Sequence, residues 1–188
     1  MEFDKVLQSR KSVRRFSPKK PDWRDIIEAI DAARFAPMAG NEFTPRFILV
    51  NDQKKIQKIA DASQQLFISE ASFLVVVCSS PSKAKIGFGE RGDIYVRQQA
   101  GAAIENFLLK LEDLGLATCW VGHFVDEQIK EILEIPEDII VEAIFPVGYE
   151  SIIKGAKERR RHKPNLDFYL YFNKWKEKRM VPLEKLEI

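Results

Sequence analysis

The sequence predicts a domain of mixed class, α/β or α+β, built on one central sheet. Four short apolar runs, Arg46–Val50, Phe73–Cys78, Ala117–Val121 and Ile140–Val147, interleave with segments of helical periodicity instead of segregating from them. One of these runs, Phe73-Leu74-Val75-Val76-Val77-Cys78, is apolar without interruption, which requires cover on both faces of the strand it forms. At 188 residues, 45% of them hydrophobic and 31% charged, the chain can bury one such core without disulfides or metal.

Taken in order, residues 2–9 place Phe3, Val6 and Leu7 on one side of a short amphipathic helix, after which Pro18 and Pro21 hold the chain open. Asp22 caps a second helix, with Asp25 three residues on, and Ile26, Ile27, Ile30 and Ala33 form its apolar stripe until Ala36-Pro37 stops it. Residues 37–45, bracketed by prolines and holding Gly40 and Asn41, read as a loop that feeds the first strand. Asn51-Asp52 then caps a third helix with Ile56, Ile59 and Ala60 inward. Between 79 and 92 three glycines, Pro81 and mixed charge read as a loop or lid. A long helix follows over Ala100–Leu111, with Ile104, Phe107, Leu108, Leu111 and Leu114 in helical spacing and Gly115 as its stop. Asp126 is expected to cap a short helix carrying Ile129, Ile132 and Leu133, and the fourth strand ends at Gly148-Tyr149. Beyond a basic run at 157–163, the aromatic segment Phe168, Tyr169, Tyr171, Phe172 and Trp175 is too apolar for a free tail and is expected to pack on a partner subunit.

Composition narrows the function classes. No apolar run approaches a membrane span and the first residues lack a secretory pattern, so a cytoplasmic protein without a membrane partner is expected. Cys78 and Cys119 sit in strand-like runs and read as buried free thiols rather than nucleophiles. GxxxxGK[ST], HExxH, CxxC and Asp-rich calcium loops are all absent from the sequence, and the one GxGxxG spacing, Gly87 to Gly92, lies inside the stretch read as a loop rather than directly after a strand, so metal is left out of the expectation and the usual nucleotide fingerprints are unsupported. The formal charge of +2 hides a basic tail, eleven Lys and Arg against five Asp and Glu over 151–188. The remainder is mildly acidic, with nineteen against twenty-three, which argues against a nucleic-acid face.

What remains is a pair of basic clusters. Arg10-Lys11-Ser12-Val13-Arg14-Arg15-Phe16 gathers four cations and a hydroxyl, and Arg159 to Lys163 gathers more. Arginine forks match phosphate oxygens two at a time, so the two clusters together can clamp one phosphate group. The plainer reading of the first cluster is a solvated basic turn.

Four separated motifs decide between these readings: Arg10-Lys11-Ser12-Val13-Arg14; Ala36-Pro37-Met38-Ala39-Gly40-Asn41 leading to Pro45; Leu114-Gly115-Leu116-Ala117-Thr118-Cys119-Trp120-Val121-Gly122; and Gly148-Tyr149 followed by the basic run and Pro164. In these motifs, and in their order along the chain, the sequence resembles the nitroreductase family of flavin-dependent oxidoreductases, in its shorter form. The resemblance implies an α+β three-layer sandwich with a central, mainly antiparallel sheet flanked by helices. It implies one FMN-binding domain over 1–188, with 79–98 as a lid loop and 165–188 as an extension onto the partner of an intertwined homodimer. FMN would lie at the subunit interface with NAD(P)H as donor, and hydride would pass through flavin N5 to a small electron-poor acceptor such as a nitroaromatic or quinone.

By position, Arg10 and Ser12 are then phosphate ligands with Lys11 nearby, and Arg160 and Arg161 close that site, since His162 stands where the family has arginine. Arg14 matches the cation beside the N1 and O2 edge of the ring, assisting chemistry that otherwise belongs to the cofactor, so no catalytic acid or base is expected. Pro37, Met38, Ala39 and Asn41 match the loop laid along the flavin by the other subunit. Gln64 matches an amide facing the pyrimidine edge, or else is a surface glutamine, and Trp120, Val121 and Gly122 match the segment passing N5. The family also holds specialised branches, reductive dehalogenation and flavin fragmentation. A non-catalytic protein that binds flavin or nucleic acid is the alternative from another class.

Overall fold

In the computed structural model, residues 1–151 and 164–180 are described, with the backbone alone at 82, 83 and 85. The chain divides into two compact units, Met1–Ser151 and Ile152–Ile188. The first holds helices α1 (Phe3–Ser9), α2 (Trp23–Ala33), α3 (Gln53–Ala62), α4 (Ser82–Phe88), α5 (Arg91–Asp113) and α6 (Asp126–Leu133). Its strands are β1 (Pro45–Val50), β2 (Phe73–Ser79), β3 (Ala117–Thr118) and β4 (Ile140–Gly148). They form one sheet in the order β1-β2-β4-β3, with every neighbouring pair antiparallel.

The uninterrupted apolar run is β2, buried along its whole length between β1 and β4. Its two faces serve two cores. Phe73, Val75 and Val77 pack with Ile26, Ala29 and Ala33 of α2 and with Ala103, Phe107 and Leu111 of α5. Leu74, Val76 and Cys78 face Ile56, Ile59 and Ala60 of α3 and Ile129 of α6. The protein is therefore an α+β sandwich of three layers, α2 and α5, the sheet, then α3 and α6. Alternation of side chains across the pleat is what divides one strand between two cores.

Local chemistry sets the helix ends. Asp22 accepts from Arg24 N at 2.9 Å, and Asp52 accepts from Lys54 N at 2.8 Å and from Lys55 N at 3.4 Å. Gly115, at φ +72°, ends α5 as expected, and Leu116 N–H donates to Leu111 O at 2.8 Å. Asp126 is the first residue of α6 rather than its cap; Val125 occupies the capping position, and the carboxylate instead stands in the first turn, where helix polarity favours it.

Two helices, α4 over Ser82–Phe88 and the start of α5 from Arg91, occupy most of 79–98, which corrects the expected loop. Gly87 lies inside α4, Gly89 at φ +58° makes the break, and Gly92 is buried in the first turn of α5. The glycines punctuate two helices there instead of loosening one loop. The third strand is also shorter than expected: β3 ends at Thr118, and pairing resumes only at Val121, which bridges Ile144. Helix α1 buries Val6 alone, and Phe3 is 66% exposed. In the second unit, Leu166–Phe168 form a 3-10 turn, Tyr171 and Trp175 stack with centroids 4.7 Å apart, and Phe168 and Trp175 are exposed.

Candidate functional site

The Arg10–Phe16 stretch starts at the C-terminal end of α1, which Arg10 caps, and then runs extended along the sheet edge, held by two isolated bridges. Ser12 bridges Thr118 in the parallel sense, with Val13 N–H donating to Thr118 O at 2.8 Å. Farther on, Phe16 bridges Glu150 antiparallel, Ser17 N–H donates to Tyr149 O at 2.8 Å and Ser151 N–H donates to Arg15 O at 3.1 Å. Val13 and Phe16 bury themselves against Ala71 and Ala117, and Phe67 packs on this small core. Lys11, Ser12, Arg14 and Arg15 are left on the exposed side. Burial of two apolar anchors fixes the backbone, and the polar residues between them are thereby displayed.

The cations of this stretch have distinct surroundings. Arg10 Nε lies 3.7 Å from Glu105, and Lys11 Nζ lies 2.8 Å from Glu150. Both are solvent-accessible pairs of small net worth, so an incoming anion can compete for them. The Arg14 guanidinium stands 6.0 Å from the centre of the Phe67 ring. It also lies near Cys119, whose thiol is pushed up by burial against the opposing pull of Arg14 and a hydrogen bond with Ser12. Burial, then Glu142, pushes the Cys78 thiol up to about 11. Both cysteines are thus buried, protonated and poor nucleophiles at neutral pH.

The bridge at Thr118 brings Trp120, Val121 and Gly122 beside the basic stretch. Val121 is buried, whereas Trp120 is 42% exposed with its ring edge-on to Phe145 at 5.5 Å. Trp120 is therefore part core and part surface. A Cβ added at Gly122 would meet only Trp120 Nε1, at 3.9 Å, so the backbone there is open to a flat neighbour. Gln64 joins the same region: Val125 N–H donates to Ala62 O at 3.1 Å and Gln65 Nε2 donates to His123 O at 3.3 Å, tying 62–65 to 123–125. Gln64 itself is exposed, with a left-handed backbone at φ +52°. That conformation is uncommon for a residue with a long side chain, and such residues collect at functional sites.

Pro37, Met38, Ala39 and Asn41 are placed elsewhere. They surround a 3-10 turn, Ala39–Asn41, that enters the sheet through β1, whereas Ser12 joins it through β3. Those are opposite edges of the sheet, about 14 Å apart at the usual strand spacing. Helices α4 and α5 hold the turn: Gln99 of α5 accepts from Thr44 N–H at 3.0 Å and donates to Glu42 O at 3.0 Å, and Phe88 of α4 covers Gly40. Gly40 has φ +59°, and a Cβ there would stand 3.0 Å from Phe88 Cζ. Gly40→Ala is expected to cost about 1–2 kcal/mol through the left-handed backbone alone and more through the displaced ring. Thermal melts of G40A, F88A and the double variant check this, because removing the ring should recover only the steric share.

Arg160, Arg161 and His162 lie outside the described residues. Glu70 and Phe67 were missed from sequence: Glu70 accepts from Phe16 N–H at 3.2 Å, and Phe67 underlies Arg14. Neither belongs to a motif, and only the folded backbone shows what they touch.

The family model for the nitroreductase family matches residues 7–71 and 61–149, most of the chain. The chain belongs to the nitroreductase family. Among the relatives of this nitroreductase-family chain is a protein of Archaeoglobus fulgidus named "Putative NADH dehydrogenase/NAD(P)H nitroreductase", 34% identical over 159 residues that cover 82% of this chain and 88% of that one. An iodotyrosine deiodinase of Thermotoga neapolitana is 26% identical over 170 residues, covering 77% of this chain and 86% of its own. In structure, a nitroreductase family protein of Clostridium novyi NT superposes with a TM-score of 0.75 at 28% identity, over 95% of this chain and 97% of that one. Among the described residues of the nitroreductase-family fold, no helix is long and apolar enough to cross a membrane.

Proposed function

We propose that the protein is an FMN-dependent oxidoreductase that takes reducing equivalents from NAD(P)H and passes them to a small electron-poor acceptor such as a nitroaromatic or a quinone. The observation that supports this reading is the pairing of Ser12 with Thr118, which joins the stretch carrying Arg10, Ser12 and Arg14 to the segment that runs on to Gly122, on the fold of a family of oxidoreductases. The donor set fits the group: the Arg10 guanidinium, the Ser12 hydroxyl and the Lys11 ammonium suit a phosphate, Arg14 suits the electron-rich edge of a reduced ring, and Trp120 with Gly122 offers a partly apolar wall for a flat ring. FMN, when bound, supplies the hydride-accepting and hydride-donating chemistry.

This chain's own residues bind and orient. Arg10 and Ser12 hold the phosphate, Lys11 adds charge near it, and Arg14 places a fixed positive charge where the reduced ring gathers negative charge. Gln64 offers its amide to the pyrimidine edge, and Trp120, Val121 and Gly122 pass along the ring. Arg160 and Arg161 are proposed to complete the phosphate site. The turn carrying Pro37, Met38, Ala39 and Asn41 belongs to the same site but stands on the other sheet edge, so we place it there from a second copy of the chain. The functional unit is accordingly a homodimer, with the aromatic segment of each second unit laid on its partner and α4 serving as a lid.

Purified protein reconstituted with FMN is expected to retain a yellow colour after desalting, to lose it on anaerobic addition of NADH or NADPH, and to regain it with a nitroaromatic or quinone. A chain that retains no flavin, or holds it without bleaching, overturns the reading. An iodinated phenol among the acceptors tests the second reading, dehalogenation, which the deiodinase relative motivates.

A further inference from the structure

We infer that Glu70 is a positioning residue for Arg14, holding the extended segment that carries it by the Phe16 amide, which the 149–151 segment does not bond. The inference rests on the functional reading above, because it is the placement of Arg14 toward the flavin that Glu70 would set.

The argument begins with the backbone of the extended segment. Val13 N–H is satisfied by Thr118 O, and Arg15 O and Ser17 N–H are satisfied by Ser151 N–H and Tyr149 O. In an antiparallel ladder, alternate residues turn their N–H groups to opposite sides, so the amide of Phe16 points away from the 149–151 segment that its neighbours bond. A partly buried amide facing away from its ladder needs an acceptor from elsewhere. Glu70 supplies it: its Oε2 accepts from Phe16 N–H at 3.2 Å, in a part-buried setting.

The same short element reaches Arg14 by a second route. Glu70 closes the 3-10 turn Leu66–Glu70, and Phe67, from the first part of that turn, packs on Val13, Phe16, Ala71 and Ala117 while its ring lies 6.0 Å from the Arg14 guanidinium. Arg14 thus lies between Val13, anchored to Thr118, and the pair Arg15-Phe16, anchored to Ser151 and to Glu70, with Phe67 alongside. The turn begins directly after Gln64 and Gln65, and Gln65 donates to His123 O, so Gln64 and Arg14, both proposed to meet the ring, share one local support. A carboxylate is a stronger acceptor for an amide than a neutral oxygen, which suits a position where a single bond replaces a strand. Loss of that bond leaves Phe16 N–H unpaired and lets the Arg14 segment sample other positions.

The test compares Glu70→Ala, Glu70→Asp and Glu70→Gln in the full chain. Asp keeps the charge but is one methylene too short to reach Phe16, and Gln keeps the length and an acceptor oxygen without the charge. Three readouts are taken: amide hydrogen exchange at Phe16, FMN affinity by quenching of flavin fluorescence, and the midpoint potential of the bound flavin. Glu70→Ala and Glu70→Asp are expected to speed exchange at Phe16 at least tenfold, to weaken FMN binding about three- to tenfold, and to make the midpoint potential more negative, since a loosened Arg14 stabilises the reduced ring less. Glu70→Gln is expected to recover most of all three. Exchange, affinity and potential that stay at wild-type values in Glu70→Ala and Glu70→Asp overturn the inference, as does Glu70→Gln behaving like Glu70→Ala. Should Glu70→Ala not fold, Glu70→Asp carries the same comparison. Failure of the wild-type chain to bind FMN overturns the functional reading itself, an outcome distinct from wild-type binding that is indifferent to residue 70.

Discussion

Phe145→Ala is expected to lower stability by about 3–5 kcal/mol, the usual cost of emptying a fully buried aromatic position. Phe145 is 0% exposed on β4, the strand between β2 and β3, and its ring meets Phe107 of α5 edge-on at 5.6 Å and Trp120 at 5.5 Å. The removed ring therefore leaves a void between the sheet and its longest helix that central backbone cannot collapse to fill. In a chain of this size the loss corresponds to a fall in melting temperature on the order of 10 °C. The same variant removes the support under Trp120, so a second loss, of flavin affinity, is expected at temperatures where the protein remains folded. Denaturant titration with an unchanged slope, alongside flavin titration, separates the two. A melting temperature within a degree or two of wild type would show that the aromatic cluster can close over the gap.

Arg14→Ala is expected to leave the fold intact and to weaken FMN binding by ~10- to 100-fold, the equivalent of about 1.5–3 kcal/mol for a lost charged hydrogen bond. The side chain is exposed and its ring contact with Phe67 is long, so little packing is lost with it. The functional cost arises from charge. A fixed cation stabilises the anionic reduced ring more than the neutral oxidised one, so reduction by NAD(P)H is expected to slow even when FMN is saturating. Arg14→Lys should restore part of the affinity, since it keeps the charge but not the planar fork. Flavin content after desalting and the rate of anaerobic bleaching measure the two effects independently. Unchanged values for both would remove Arg14 from the site.

The parts of the fold legible in the sequence were those written in local chemistry. Asp22 and Asp52 announce their helices because a short carboxylate before an apolar stripe has one useful thing to do, and β2 announces its double cover because its first six residues, Phe73–Cys78, are all apolar. Asp126 misled because an acid in the first turn and an acid at the cap look alike in sequence. The 79–98 region misled because glycine was read as freedom, whereas Gly89 is a single hinge between helices and Gly92 is small in order to be buried. Of the candidate site, the cations and the Trp120–Gly122 segment were legible as motifs. Their arrangement was not, because it depends on the bridges from Ser12 to Thr118 and from Phe16 to Glu150. Glu70 was invisible for the same reason: its partner is a main-chain amide, which leaves no mark on residue identity.

Those two bridges also govern when the site can come into being. The chain is made from its N-terminus, so Arg10–Phe16 emerges before its main-chain hydrogen-bonding partners Thr118, Tyr149 and Ser151, the last two of which stand at the end of the first unit. Contacts between such distant positions close late, because the loop entropy between them must be met before they return any stabilisation. These cations are therefore among the last groups of the unit to be positioned. A chain still being made can build its earlier helices, and even the paired strands β1 and β2, before Arg10–Phe16 is fixed, so that the arrangement of these cations reports that folding of this unit has finished.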